Sequence, residues 1–236
     1  RLAAIRATRR RQAERFFGER AAIWDSETDV AVEAGAVERE LLRIFGEERT
    51  ESLLDVGTGT GRILQVLAGQ IGSGLGVDLS HDMLRVARAN LDRREARNCH
   101  VRYGDMYQLP LSDSAVAAVT LHQVLHFADD PRAALAEAAR VLAPGGRLVV
   151  VDLAQHGLEW LRTEKGHRRL GFGAQEIAGW FAELGLDAAP LVRLPGEGAD
   201  VCIWLARKLA HGGRRRDAQS LDQQSQALQQ QTERAA

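Results

Sequence analysis

The sequence predicts an α/β protein built on a doubly wound, mostly parallel sheet with helices on both faces. Three observations carry that expectation. Short strand-like runs occur at 52–56, 73–77, 100–103, 115–120, 146–152, 187–193 and 200–206. Amphipathic helical patterns fill most of the intervals between them. The first run passes directly into a glycine turn, Gly57-Thr-Gly-Thr-Gly61, and then into a helical pattern. Strands that alternate with helices are joined by crossovers, which favour parallel pairing and burial of both sheet faces.

Each helix announces itself by apolar spacing. Ile63, Leu64, Leu67, Ala68 and Ile71 form one face, and Met83, Leu84, Ala87 and Leu91 form the next. Leu135, Ala138, Ala139 and Leu142 follow at i, i+3, i+4 and i+7, as do Ile177, Trp180, Phe181 and Leu184. The last two strand-like runs have no helix between them. Pro195 and Gly196 open their connection, which predicts an antiparallel hairpin at one edge.

Composition limits what such a fold can do. The 236 residues are 45% hydrophobic with a formal net charge of −1, enough for one sizeable core and too neutral to attract nucleic acid as a whole. Cys99 and Cys202 are the only cysteines, and no leader or long apolar run is visible, so a cytoplasmic setting is expected. Residues 1–20 hold seven arginines against Glu14 and Glu19, with Leu2, Ile5, Ala13, Phe16 and Phe17 giving a partly amphipathic look. From Ala210 the chain turns polar, with seven glutamines between Gln219 and Gln231. Such a tail cannot bury enough surface to offset its ordering entropy, and disorder is expected. The expected organisation is a basic helix and lid over 1–35, the main domain over 36–209 and a glutamine-rich tail over 210–236.

The glycine turn and the next strand point to a nucleoside-containing ligand. Glycines let a ligand approach the backbone, and Asp78, 17 residues beyond Gly61, can accept both ribose hydroxyls. Gly57, Gly59 and Gly61 run G-x-G-x-G, with Arg62 where the dinucleotide fingerprint has its last glycine. Asp55, two residues before the first glycine, is awkward beside a pyrophosphate but suits an ammonium and a sulfonium. S-adenosylmethionine carries both.

The segment LLDVGTGTGR at Leu53–Arg62 resembles motif I of the class I S-adenosylmethionine-dependent methyltransferases. Further segments are similar in family order: YGDMYQLPL at Tyr103–Leu111, VTLHQVLHFADDP at Val119–Pro131, and VLAPGGRLVVVD at Val141–Asp152. The last resembles the ubiquinone/menaquinone-biosynthesis type. The resemblance covers roughly residues 50–153 and implies a Rossmann-like seven-stranded sheet of order 3-2-1-4-5-7-6, its last strand antiparallel. Some bacterial proteins of this kind follow an ArsR-type winged-helix domain.

Under this reading the cofactor-binding candidates are Asp55, Gly57, Thr58, Gly59, Gly61, Asp78, Leu79, Met83, Gly104, Asp105, Met106, His122 and Trp24. Asp55 acts on the ammonium group directly or by fixing the turn. Leu79 and Met83 either sandwich the adenine or are plain core. Asp105, with Gly104 and the Met106 backbone, reads the adenine edge by resemblance, against the alternative of a Gly-Asp turn. FFGERAAIWD at Phe16–Asp25 resembles a lead-in segment whose Phe17 and Trp24 would cover the cofactor; cation–π attraction to a sulfonium is worth about 0.5–2 kcal/mol.

His122-Gln-Val-Leu-His126 has the spacing of a zinc motif but lacks its glutamate and a third ligand, so no metal is expected. Its place after the fourth strand makes His122 and His126 the catalytic candidates, His122 contacting the cofactor's methionine part or flanking the methyl group, and His126 orienting a nucleophile or acting as base. GHRRLGF at Gly166–Phe172 is either an anion clamp or a solvated basic turn. Three functions are left in play: a methyltransferase acting on a small-molecule acceptor, a non-catalytic S-adenosylmethionine sensor, and, disfavoured by the glycine spacing, an NAD-dependent oxidoreductase. Arsenic methylation is disfavoured for want of clustered cysteines. Expected partners are a small-molecule acceptor, with no membrane and no nucleic acid bound by this chain. A fused upstream DNA-binding domain and a homodimer stay open.

Overall fold

A computed structural model describes residues 15–18, 20–21, 35–46 and 48–210. Most of the basic front segment, Trp24 and the glutamine-rich tail beyond residue 210 therefore lie outside the described residues.

After α1 (Ala36–Gly46), strands and helices alternate: β1 (Thr50–Val56), α2 (Arg62–Leu67), β2 (Ile71–Asp78), α3 (His81–Arg93) and β3 (Cys99–Tyr103). Then come β4 (Val116–His122), α4 (Pro131–Val141), β5 (Leu142–Leu153), a short α5 (Trp160–Glu164) and α6 (Ala174–Glu183). Three strands finish the sheet: β6 (Leu186–Ala188), β7 (Val192–Leu194) and β8 (Val201–Lys208). The order is β3-β2-β1-β4-β5-β8-β6, with β7 also paired to β8. β1 to β5 are mutually parallel, and β8 runs antiparallel to β5, β6 and β7.

Ile71 and Leu142, expected on helical faces, instead open β2 and β5, and the larger departure is at the end of the sheet. The single run expected over 187–193 is two short strands, so the sheet has eight strands among the described residues, and the expected last strand is β8. Pro190 has no N–H to give the ladder, and pairing with β8 lapses between Ala189 and Val192.

The central strands are apolar on both sides. Leu148 and Val150 of β5 join a core with Leu135 and Ala138 of α4 and Ile177 and Phe181 of α6. Val149 and Val151 face the other way, into a core with Leu41 and Phe45 of α1 and Leu64 and Leu67 of α2. This burial on both faces forces the continuous Leu-Val-Val-Val run. The starts of α3 and α4 are capped by side chains. The Ser80 hydroxyl accepts from Met83 N at 3.2 Å, and Asp130 accepts from Ala133 N at 3.0 Å with Pro131 in the first turn. Those caps place α3 and α4 just beyond the carboxyl ends of β2 and β4, where ligands of such sheets bind.

Candidate cofactor and acceptor site

The turn after β1 is held in left-handed backbone. Gly57, Gly59 and Gly61 have φ of 68°, 51° and 78°, a region open to glycine at little cost. Gly57 N and Thr58 N both donate to Val77 O, at 2.8 and 3.0 Å, which locks the turn against β2.

Asp55 sits beneath it, 1% exposed. Its two oxygens accept from the hydroxyls of Thr58 and Thr120, each at 2.7 Å. Thr120 is its register partner on β4, so the carboxylate ties β1, its turn and β4 together. Burial raises the Asp55 carboxyl to about 6, against the lowering effect of the two threonines, with the Asp78 charge adding a smaller push. Of the two roles open from sequence, the geometry carries out the fixing of the turn.

Asp78 ends β2 with its carboxylate across the mouth of the turn. One oxygen accepts from Gly59 N at 2.9 Å and the other from Ser80 N at 2.8 Å. Burial raises this carboxyl too, opposed by the backbone donors of Ser80, Gly59 and Leu79. A carboxylate oxygen can take a second donor, so both oxygens retain capacity for a vicinal diol. Leu79 beside it is partly buried, whereas Met83 is buried at 2% exposure.

The loop after β3 lies alongside. Gly104 N donates to Asp78 O at 3.1 Å, and a Cβ at Gly104 would stand 3.2 Å from Val77 Cβ. The Asp105 side chain accepts from Tyr107 N at 2.9 Å, so this residue shapes its own turn. Met106 packs on the core from a partly buried position.

His122 closes β4, partly buried. Burial lowers its imidazole to about 4, against the raising effect of Asp152 and Glu38. His126 lies one short 3-10 turn further on and is 2% exposed. Its Nδ1 is 2.7 Å from Asp152 Oδ1, and its ring stacks on His167 with centroids 4.0 Å apart. Asp152, at the end of β5 and fully buried, belongs to this cluster although no spacing in the sequence singles it out. The only signal is an acidic residue directly after the apolar Leu148–Val151 run of β5. His167 comes from GHRRLGF, but the two arginines there are engaged: Arg168 with Asp129 at 2.8 Å, and Arg169 with Glu176 at 2.6 Å.

Residues 15–18 and 20–21 pack over this side. Phe17 meets Phe127 edge-on at 4.9 Å, and Phe127 tilts against His126 at 4.1 Å. The structure thus assembles Asp55, Gly57, Thr58, Gly59, Gly61 and Asp78 into one cradle, with Gly104, Asp105 and Met106 on one flank. His122 and His126 stand on the other. A cradle of three left-handed glycines facing a diol-capable carboxylate fits the nucleoside and amino-acid parts of S-adenosylmethionine.

Comparison with known proteins agrees. Residues 54–150 match the family model of a methyltransferase domain. The chain is similar to an arsenite methyltransferase of Halobacterium salinarum, 32% identical over 108 residues, covering 44% of this chain and 28% of that protein. A demethylmenaquinone methyltransferase of Tropheryma whipplei is 34% identical over 116 residues, 49% of this chain and 47% of that protein. The chain thus spans less than half the length of either relative. In fold it is similar to a SAM-dependent methyltransferase from Aquifex aeolicus, with TM-score 0.62 and 21% identity over 75% of this chain and 94% of that one. With this family match and a parallel sheet completed by the antiparallel β8, the chain carries a methyltransferase domain over residues 54–150, on the sheet of the class I S-adenosylmethionine-dependent methyltransferases.

Proposed function

We propose that this domain transfers a methyl group from S-adenosylmethionine to a small-molecule acceptor, in a cytoplasmic setting. The observation that carries the reading is the Asp78 carboxylate across the Gly57–Gly61 turn, 2.9 Å from Gly59 N. Bound S-adenosylmethionine supplies an electrophilic methyl group whose bonding pair stays on sulfur. The protein's part is to hold and align. Asp78 takes the ribose hydroxyls, the Gly57–Gly61 backbone lies against the amino-acid part, and Asp105 with Met106 borders the adenine side. Asp55 keeps the turn in register through Thr58 and Thr120. His122, kept uncharged near neutrality by burial, flanks the reacting centre without repelling a sulfonium. Much of the rate of such a displacement comes from alignment and exclusion of water.

The acceptor is not arsenite under this reading. Cys99 and Cys202 are buried, and they lie on β3 and β8, which four other strands separate in the sheet. Among the described residues no helix is long and apolar enough to cross a membrane. The arginine-rich 1–20 segment is the one feature that supports an upstream DNA-recognition module.

Calorimetric titration of S-adenosylmethionine, S-adenosylhomocysteine and NADH into wild type and Asp78→Ala tests the reading. The first two bind wild type and weaken by roughly 100-fold or more in the variant, the scale of two lost charge-assisted hydrogen bonds. NADH does not bind. Tight NADH binding with no response to the other two overturns the proposal.

A further inference from the structure

We infer that Asp152 is a positioning residue that sets the tautomer of His126, and that the acceptor is a hydroxyl compound whose proton His126 takes. The inference rests on the methyltransferase reading for its reaction, but its core is a property of the side chains alone.

Three N–H groups converge on the Asp152 carboxylate. Leu153 N donates to Oδ1 at 2.8 Å, His126 N donates to Oδ2 at 3.3 Å, and His126 Nδ1 lies 2.7 Å from Oδ1. A carboxylate can only accept, so Nδ1 carries the ring hydrogen. In the neutral ring the lone pair is therefore on Nε2. That atom is fully buried and has no hydrogen-bond partner. Buried polar atoms without a partner are rare and costly, and they concentrate where a ligand supplies the missing half.

The surroundings hold the ring still. His167 stacks on it with planes 20° apart, and Phe127 tilts against it. The His126 carbonyl accepts from Arg168 N and Arg169 N at 2.9 and 3.1 Å. The backbone of the 166–172 segment thus pins the 3-10 turn that carries His126. Among the described residues none donates to Nε2, so the group it awaits is a donor. A hydroxyl fits, because it is both a donor and a latent nucleophile; a carbon or thioether acceptor has no such hydrogen to give. In the reaction the acceptor O–H bond breaks, its proton goes to Nε2, and the oxygen pair forms the new bond to the methyl carbon. The resulting imidazolium is stabilised by Asp152 and later returns the proton to solvent.

Nitrogen-15 NMR of the histidine-labelled full chain tests the tautomer without any acceptor. Free imidazole side chains in water favour the Nε2–H form, whereas His126 is expected predominantly as Nδ1–H. Asp152→Asn, checked for folding by its amide spectrum, shifts His126 toward the Nε2–H form. A wild-type ring found as Nε2–H, or a tautomer unchanged in the variant, overturns the positioning role. The substrate class is read on protein saturated with S-adenosylhomocysteine. Phenol, 1-naphthol and 1-octanol are added in turn, each beside its O-methylated counterpart. A hydroxyl probe that moves the Nε2 resonance upfield while its ether does not supports the proposal; equal response to both, or none to any hydroxyl probe, overturns it. Failure to bind S-adenosylhomocysteine sinks the methyltransferase reading instead, and leaves the tautomer result standing.

Discussion

Val124 fills the space where a side chain at Gly57 would be. A Cβ at residue 57 would lie 2.3 Å from Val124 Cγ2 and 2.9 Å from its Cβ, and the backbone there has φ of 68°. Gly57→Ala thus meets two penalties. Left-handed backbone costs a non-glycine residue about 1–2 kcal/mol, and overpacking adds roughly 1–3 kcal/mol. A loss of about 2–4 kcal/mol is expected by urea unfolding. Gly57→Ala with Val124→Ala regains part of it, because the Cγ contacts go while the backbone strain and the 2.9 Å Cβ contact stay. Full recovery in the double variant would show that backbone strain contributes nothing.

Asp55 and His122 oppose one another in their pH dependence. The Asp55 carboxyl rises from 3.8 to about 6 on folding. The folded state therefore binds this proton more tightly, and the stability it gains below pH 3.8 is lost as pH rises through 6. The span of about two units corresponds to roughly 3 kcal/mol. The His122 imidazole falls from 6.5 to about 4, so its contribution is present above 6.5 and lost as pH falls toward 4. The two trends cancel in part between pH 4 and 6.5. Asp55→Asn, which can still bond both threonine hydroxyls, gives a protein whose stability rises with pH across this window. His122→Gln gives the reverse slope. Chemical denaturation at pH 4.5, 5.5, 6.5 and 7.5 reads both. Parallel profiles for the two variants would contradict the assignment.

Arg140 of α4 holds the loop that carries Asp105. It donates to Leu109 O and Leu111 O at 3.3 and 3.0 Å, and pairs with Asp113 and Glu137 at 2.7 Å. Glu137 in turn accepts from Leu109 N at 2.7 Å, and its contact with Arg140 lowers its carboxyl below the usual range. Arg140→Ala is expected to cost about 1–3 kcal/mol, since these are charge-assisted bonds shared over one side chain. Hydrogen exchange should accelerate over 105–113 more than over β1 or β5. Uniform acceleration throughout the chain would instead assign Arg140 a global role.

Legibility in the sequence followed the range of the interaction. The β1 turn and Asp78 are written locally, because glycine spacing and a carboxylate at a strand end determine their own geometry. Asp55 was readable as a residue of the site but not as the tie between β1 and β4, since Thr120 lies 65 positions away. The split between β6 and β7 was signalled by Pro190, whose missing N–H is decisive only where a ladder bond is due. Asp152 was silent: its partner His126 lies on another connection, and only the sheet order, with β4 beside β5, brings them together. His167 was noticed for its arginine neighbours, yet those pair with Asp129 and Glu176 while the histidine turns inward.

Phe17 joins the front segment to the acceptor side through Phe127. The two rings meet at 86° with centroids 4.9 Å apart, and Phe16 turns its own ring toward Gly166, 3.7 Å from where a Cβ would stand. Gly18 presses on α3, where an added Cβ would be 2.8 Å from Asp82 Oδ2. The described part of the front segment thus touches both the start of α3 and the 164–167 turn. Edge-to-face aromatic pairs contribute about 0.5–1.5 kcal/mol beyond their burial. Phe17→Ala should therefore speed release of S-adenosylhomocysteine several-fold in stopped-flow displacement, with the association rate changed much less. Faster exchange at Phe127 amides should accompany it. An unchanged release rate, with the front segment loosened in the same variant, would show that the segment packs on the domain without covering its ligand.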